Sequence, residues 1–224
     1  MKKAIFLVIG LVLAIAARAY AFDNHDFQVW NTDSEEVKLN KNSKLLFEQE
    51  FRWGDNASRF YYQHYDIGYQ YSLNKYFSLG GGFRYIKEKK SQGNQLSRFR
   101  DESDPYFASF MNYELYNWKL ADRVRIEYRY YDYQVNSWRF RNKFDIKSPW
   151  KFTRFKIQPL IADEIFFRFN GIDLNENRLY AGFAFALTKN LSGEITYLWK
   201  TNKSVNTCVW TDTNVMSAKL KLAF

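Results

Sequence analysis

Two neighbouring stretches of this chain set six cations against two acids at a spacing of two. Arg123, Arg125, Glu127 and Arg129 alternate with Val124, Ile126, Tyr128 and Tyr130. Arg139, Arg141, Lys143 and Asp145 alternate with Trp138, Phe140, Phe144 and Ile146. A period of two puts each charged set on one face of a strand, opposite an apolar face. If such faces line an enclosed lumen, two chemistries are open. Acids on facing strands would neutralise the cations in an ion-pair network. Cations left in excess would line a path that favours anions. The same phasing adds Arg84, Lys156, Glu164 and Arg178 to the candidate lining residues, so the set runs from Arg84 to Arg178.

Acid–base catalysis has fewer candidates. His25 and His64 are the chain's two histidines. His64 shares a face with Asp66, which could orient its ring, and Ser58 and Ser78 are nearby along the chain. A lipid hydrolase or acylase built on His64 is therefore an alternative, while the main reading assigns no catalytic residue. No metal-ligand spacing, phosphate-binding glycine loop or nucleotide motif occurs, so no metal and no cofactor is expected. Asp101, Glu102 and Asp104 are read as a solvated acidic loop. Cys208 is the single cysteine, which excludes an intrachain disulfide.

The elements that must position these residues are strands from end to end. Leu45, Phe47, Phe51 and Trp53 oppose Glu48, Glu50 and Arg52; Tyr65, Ile67, Tyr69 and Tyr71 oppose His64, Asp66 and Gln70. Leu191, Ile195, Tyr197 and Trp199 oppose Glu194, Thr196 and Lys200. The last residues, Ser217 to Phe224, alternate in the same way and end on an aromatic residue. Mean hydropathy is −0.51, although aromatic residues make up 20% of the chain. A barrel with an apolar outer skin and a polar lumen produces that mixture. A ligand-binding barrel of lipocalin type would instead turn the aromatic face inward.

Short connections are expected near Asn74-Lys75, Asn117-Trp118, Ser148-Pro149 and Lys189-Asn190. Longer ones are expected over Lys87–Asp104, Arg168–Glu176 and Thr201–Asp212. Tyr71, Tyr76, Tyr116, Trp118, Trp150 and Phe152 crowd the short-turn end, as an interfacial girdle would. A turn centred on Asn74 would set Gly68 opposite Gly80 and His64 opposite Arg84. Pro159 falls inside an alternating stretch, where a bulge is expected. Eleven alternating segments are legible, and Asp26 to Leu39 reads as one strand or as two folded at Asp33-Ser34-Glu35. Bacterial single-chain barrels have even strand numbers. The expectation is therefore about 12 strands (10–12).

Residues 1–21 precede these segments. Lys2 and Lys3, an apolar run from Ala4 to Ala17, and Ala19-Tyr20-Ala21 have the order of a cleaved secretory signal peptide. The apolar run is shorter than the ~20 residues that span a bilayer as a helix.

Several stretches resemble an uncharacterised bacterial family, domain of unknown function 2490, whose members are proposed to be outer-membrane barrels. They are Asp26–Trp30, Phe47–Arg52, Gly68–Lys75, Leu79–Tyr85, Asp163–Phe167 and Asn177–Gly182. The resemblance implies the fold and brings no activity with it.

The sequence thus predicts a signal peptide at 1–21 and, over 22–224, an all-β, antiparallel up-and-down transmembrane β-barrel of the bacterial outer membrane. A small pore or transport protein with an arginine-rich lumen is the leading function, and a plugged interaction barrel acting through external loops is the alternative. The expected partners are outer-membrane lipid, lipopolysaccharide and the barrel-assembly machinery, which would read the terminal strand and Phe224. Nucleic acid is not expected, because acids are interleaved with the basic residues throughout.

Overall fold

The alternating segments fold into eleven strands with no helix among the described residues. A computed structural model describes residues 25–92, 95–169, 173–203 and 208–224, so the expected signal peptide lies outside it. The strands are β1 (Asp26–Lys38), β2 (Ser43–Gly54), β3 (Arg59–Ser72), β4 (Phe77–Gln92), β5 (Gln95–Leu115) and β6 (Trp118–Tyr131). They continue as β7 (Ser137–Lys147), β8 (Gln158–Arg168), β9 (Asp173–Ala186), β10 (Leu191–Lys203) and β11 (Trp210–Ala223).

Each strand pairs antiparallel with the next, and the sheet closes through β1 and β11. That closing pair is parallel, with Trp30 beside Ser217 and Thr32 beside Lys219. The fold corrects two expectations at once. There are eleven strands, not twelve, and the barrel is mixed. The cause is β1: Asp26–Lys38 is one continuous strand, unfolded at Asp33-Ser34-Glu35. Up-and-down connection of an odd number of strands forces the first and last to run the same way.

Paired residues climb steeply around the wall. From Lys38 at the foot of β1, successive partners pass Lys44, Gln70, Arg125, Phe166 and Glu176 and reach Thr211 at the top of β11. Such stagger is the tilt that closure demands.

Turns set the registers. Tyr116 and Asn117 both have positive φ (49° and 66°), which makes the tight two-residue connection of β5 and β6. At the foot of β3 the loop is Leu73–Tyr76, closed by Leu73 N–H donating to the Phe77 carbonyl at 3.0 Å. Asn74 Oδ1 accepts from the N–H groups of Tyr76 and Phe77. This loop sets Gly68 opposite Gly82 and Asp66 opposite Arg84, two residues away from the expected register. Pro159 pairs with Phe183 in register, without the expected bulge. It is the second residue of β8, below the last β7 partner, so its missing N–H breaks no ladder bond to β7. The bulge of that strand pair falls between Phe166 and Phe167.

Ser148 to Ile157 forms a longer connection than expected, with a small bridge between Phe152 and Ile157. Lys87–Asp104 is shorter as a loop than expected. Most of it is a β4–β5 hairpin, and β5 is the longest strand at 21 residues.

Burial runs opposite to that of a sheet packed on an oily core. Along β3 the buried side chains include Tyr62, His64, Asp66 and Gln70, while Tyr65, Ile67, Tyr69 and Tyr71 are exposed. Phe83, Phe107, Ile126, Phe144, Ile161, Leu179, Phe183 and Leu220 continue the exposed apolar band around the wall. The aromatic face therefore points out, which removes the lipocalin-type arrangement.

Aromatic rings edge both rims of the band. At the short-turn rim, Tyr76 stacks near Tyr113 and Trp118 meets Trp150 edge-on. At the other rim, Trp53, Phe60 and Phe99 cluster, and Tyr128 meets Trp138. Phe60 and Tyr71, at opposite ends of β3, are separated by about the ~9–11 residues that a tilted strand uses to cross a bilayer.

Candidate functional site

The charged lumen is assembled from side chains that alternation turns inward. Its organising acids are Asp66, Glu127 and Glu164, none more than 8% exposed. Glycines make room for the first. A Cβ on Gly68 would lie 2.7 Å from the Tyr106 hydroxyl, and one on Gly82 would lie 2.5 Å from it. Tyr106 fills that slot and donates its hydroxyl to Asp66 at 2.6 Å. Asp66 also accepts from Arg84 at 2.9 Å and Arg125 at 3.3 Å. The Arg125 guanidinium lies flat over the Tyr106 ring, 3.8 Å from its centre. Gly68 and Gly82 therefore leave the room that the Tyr106 ring occupies.

Glu127 and Glu164 tie the arginine-rich wall together. Glu127 accepts from Arg139 and, at 2.9 Å, from Arg141. Glu164 accepts from Arg123 at 2.9 Å, Arg141 at 2.8 Å and the Tyr180 hydroxyl at 3.0 Å, with Arg178 at 3.5 Å. Arg141 thus bridges the two acids. Below this layer Lys143 pairs with Asp145 at 3.2 Å and Lys219 with Glu48 at 2.9 Å. Above it Arg129 pairs with Glu102, and Arg139 reaches Asp104 at 3.3 Å.

Eleven of the twelve anticipated lining residues therefore face the lumen. Lys156 is the exception. It sits exposed in the β7–β8 connection with φ 50°, because the alternation of Phe155 and Ile157 belongs to a turn and not to a strand. Glu102 and Asp104 correct the reading of an acidic loop: β5 carries both into the lumen against arginines.

His64 is 2% exposed but is not joined to Asp66. Its Nδ1 lies 3.1 Å from the Tyr62 hydroxyl and its Nε2 lies 3.3 Å from Glu48. Ser58 is bound within the β2–β3 turn and Ser78 pairs with Ser72 at the opposite rim.

Aromatic rings inside the lumen are the main surprise. Arg52 lies between Trp30 and Tyr62, 3.7 and 3.9 Å from their centres. Phe166 is 2% exposed and lies under Arg178 and Arg141. Stacking of this kind favours desolvated guanidinium groups and holds them in place. Parity was the available signal: Trp30 falls in step with Gln28 and Thr32, and Phe166 with Glu164.

Among the described residues, a cavity of about 90 Å³ lies inside the wall on the short-turn side and one of about 140 Å³ on the long-loop side. Arg52, Arg84, Arg141 and Arg178 line both. A layer of paired arginines thus divides the lumen near mid-height.

No curated protein and no solved structure matches the chain. One family profile does, and its match runs from the second residue of β1 to the second residue of β11. That profile, of a protein of unknown function designated DUF2490, spans residues 27–211, and the chain belongs to this family.

Proposed function

We propose that this protein is an exported barrel of the bacterial outer membrane with a lumen sealed at rest, and that it works through its long-loop rim. The observation that carries the sealed reading is the layer in which Glu127 and Glu164 hold Arg123, Arg139, Arg141 and Arg178. Leu198 and Val215 are wholly buried on the inward face, as no residue lining a water-wide channel would be. The membrane assignment is supported by the closed sheet, the continuous exposed apolar band and its two aromatic rims. It is supported also by the export signal expected over residues 1–21. Lipid and lipopolysaccharide contact the band. The barrel-assembly machinery takes β11, which ends beside exposed Phe224. This reading contains no catalytic step, since His64 and Asp66 are committed to separate partners.

A pore is the second reading, and one observation favours it. The layer consists of side chains on the wall, so a rearrangement of rotamers would open a cation-lined path. Planar-bilayer recording on the refolded mature chain separates the two. The sealed reading expects no steady conductance from the wild type and channel events from a Glu127→Ala/Arg141→Ala/Glu164→Ala variant. Steady anion-selective conductance from the wild type would establish the pore instead.

A further inference from the structure

The two lumen cavities differ in how their charges are met. In the cavity on the short-turn side, every Lys and Arg has a carboxylate within 4 Å; Lys143 and Lys219 are examples. The cavity on the long-loop side is lined by eight Lys or Arg residues and three Glu. Six of those cations are paired, whereas among the described residues the side chains of Lys200 and Arg168 have no carboxylate within 4 Å and make no hydrogen bond. Arg168 Nε is buried without an acceptor, and so is Nε of Arg141 in the wall between the cavities. Buried donors in that state are costly, and more so when charged. An acceptor-rich anion in the cavity would meet the unpaired Lys200 and Arg168 side chains.

We propose that the long-loop cavity binds a phosphate-type dianion, held between Lys200 and Arg168. Arg168 ends β8 and Asn202 is the penultimate residue of β10, so the cavity lies at the long-loop end of the lumen. A volume of 140 Å³ takes one tetrahedral oxyanion with a few waters, each water needing about 30 Å³. The guanidinium of Arg168 offers a fork that matches two phosphate oxygens, and the Lys200 ammonium supplies a compact second charge. Asn175 adds a buried amide at the same wall, and its Oδ1 has no partner among the described residues. Turned over, that amide donates to the anion. The inference is independent of whether the lumen is sealed, because the site lies above the arginine layer; conductance tests that separately.

Such an anion has two sources, free phosphate and the phosphate of an outer-leaflet glycolipid. The experiment is calorimetric titration of the mature chain, refolded in neutral detergent at low salt. One arm uses inorganic phosphate and the other a short-chain phosphorylated glycolipid. Saturable binding is expected, weakened at least tenfold in Arg168→Gln/Lys200→Gln and within twofold of wild type in Lys219→Gln. Binding of phosphate alone assigns the free anion, and binding only of the glycolipid assigns the headgroup. A second measurement guards against misfolding. Ligand should raise the urea midpoint of the wild type and leave that of the double variant unmoved, because only a folded site gains from its ligand. No binding in either arm, or equal binding by wild type and double variant, overturns the proposal.

Discussion

Glu164 meets three arginines and a tyrosine, so it is the residue whose loss would be felt most. Removing one partner of a buried ion pair costs about 3–5 kcal/mol, because the other charge is left without compensation. Glu164→Gln should therefore lower stability by about that amount in urea unfolding of the micelle-bound barrel. Lys156→Gln, at an exposed turn, should change it by less than about 0.5 kcal/mol. At this scale the sequence was legible in one respect and opaque in another. Parity placed Arg84, Arg125 and Arg141 on the inner face without any structure. It could not say which acid each would meet, since Asp66 and Arg125 come from strands three apart in the wall. It also gave no role to Trp30, Tyr106 and Phe166, which face the lumen. Those rings serve as stacking floors for guanidinium groups, a use that hydropathy does not mark.

Strand existence was legible because most strands alternate between an apolar outer face and a largely polar inner one. Register was not, because it depends on how many residues a turn consumes. The loop Leu73–Tyr76 moved the β3–β4 pairing by two residues while keeping every side chain on its expected face. Strand number was readable too: eleven segments were visible, and the general preference for even numbers argued for a twelfth that the unbroken β1 does not supply. The parallel seam follows from that parity and is directly testable. Asn31 and Ala218 are partners across it, both on the outer face. In a Cys208→Ser background, Asn31→Cys/Ala218→Cys should form a crosslink under mild oxidation, read as a gel shift reversed by reductant. Asn31→Cys paired with Leu222→Cys, four residues along β11, should not crosslink.

For the whole molecule, the apolar band and the ionic interior divide the work. The band gives the barrel an apolar outer face of the kind a bilayer would cover, and the paired charges give the wall its inner core. The seam has a consequence for sidedness. With an odd number of strands, the head of β1 and the tail of β11 leave the wall at opposite rims. If the short turns face the periplasm, the polypeptide enters the wall from the cell surface and finishes in the periplasm. An epitope inserted ahead of Asp26 should then be stained by antibody on intact cells, whereas one appended after Phe224 should need permeabilised cells. The two ends of this barrel would thus report on two compartments.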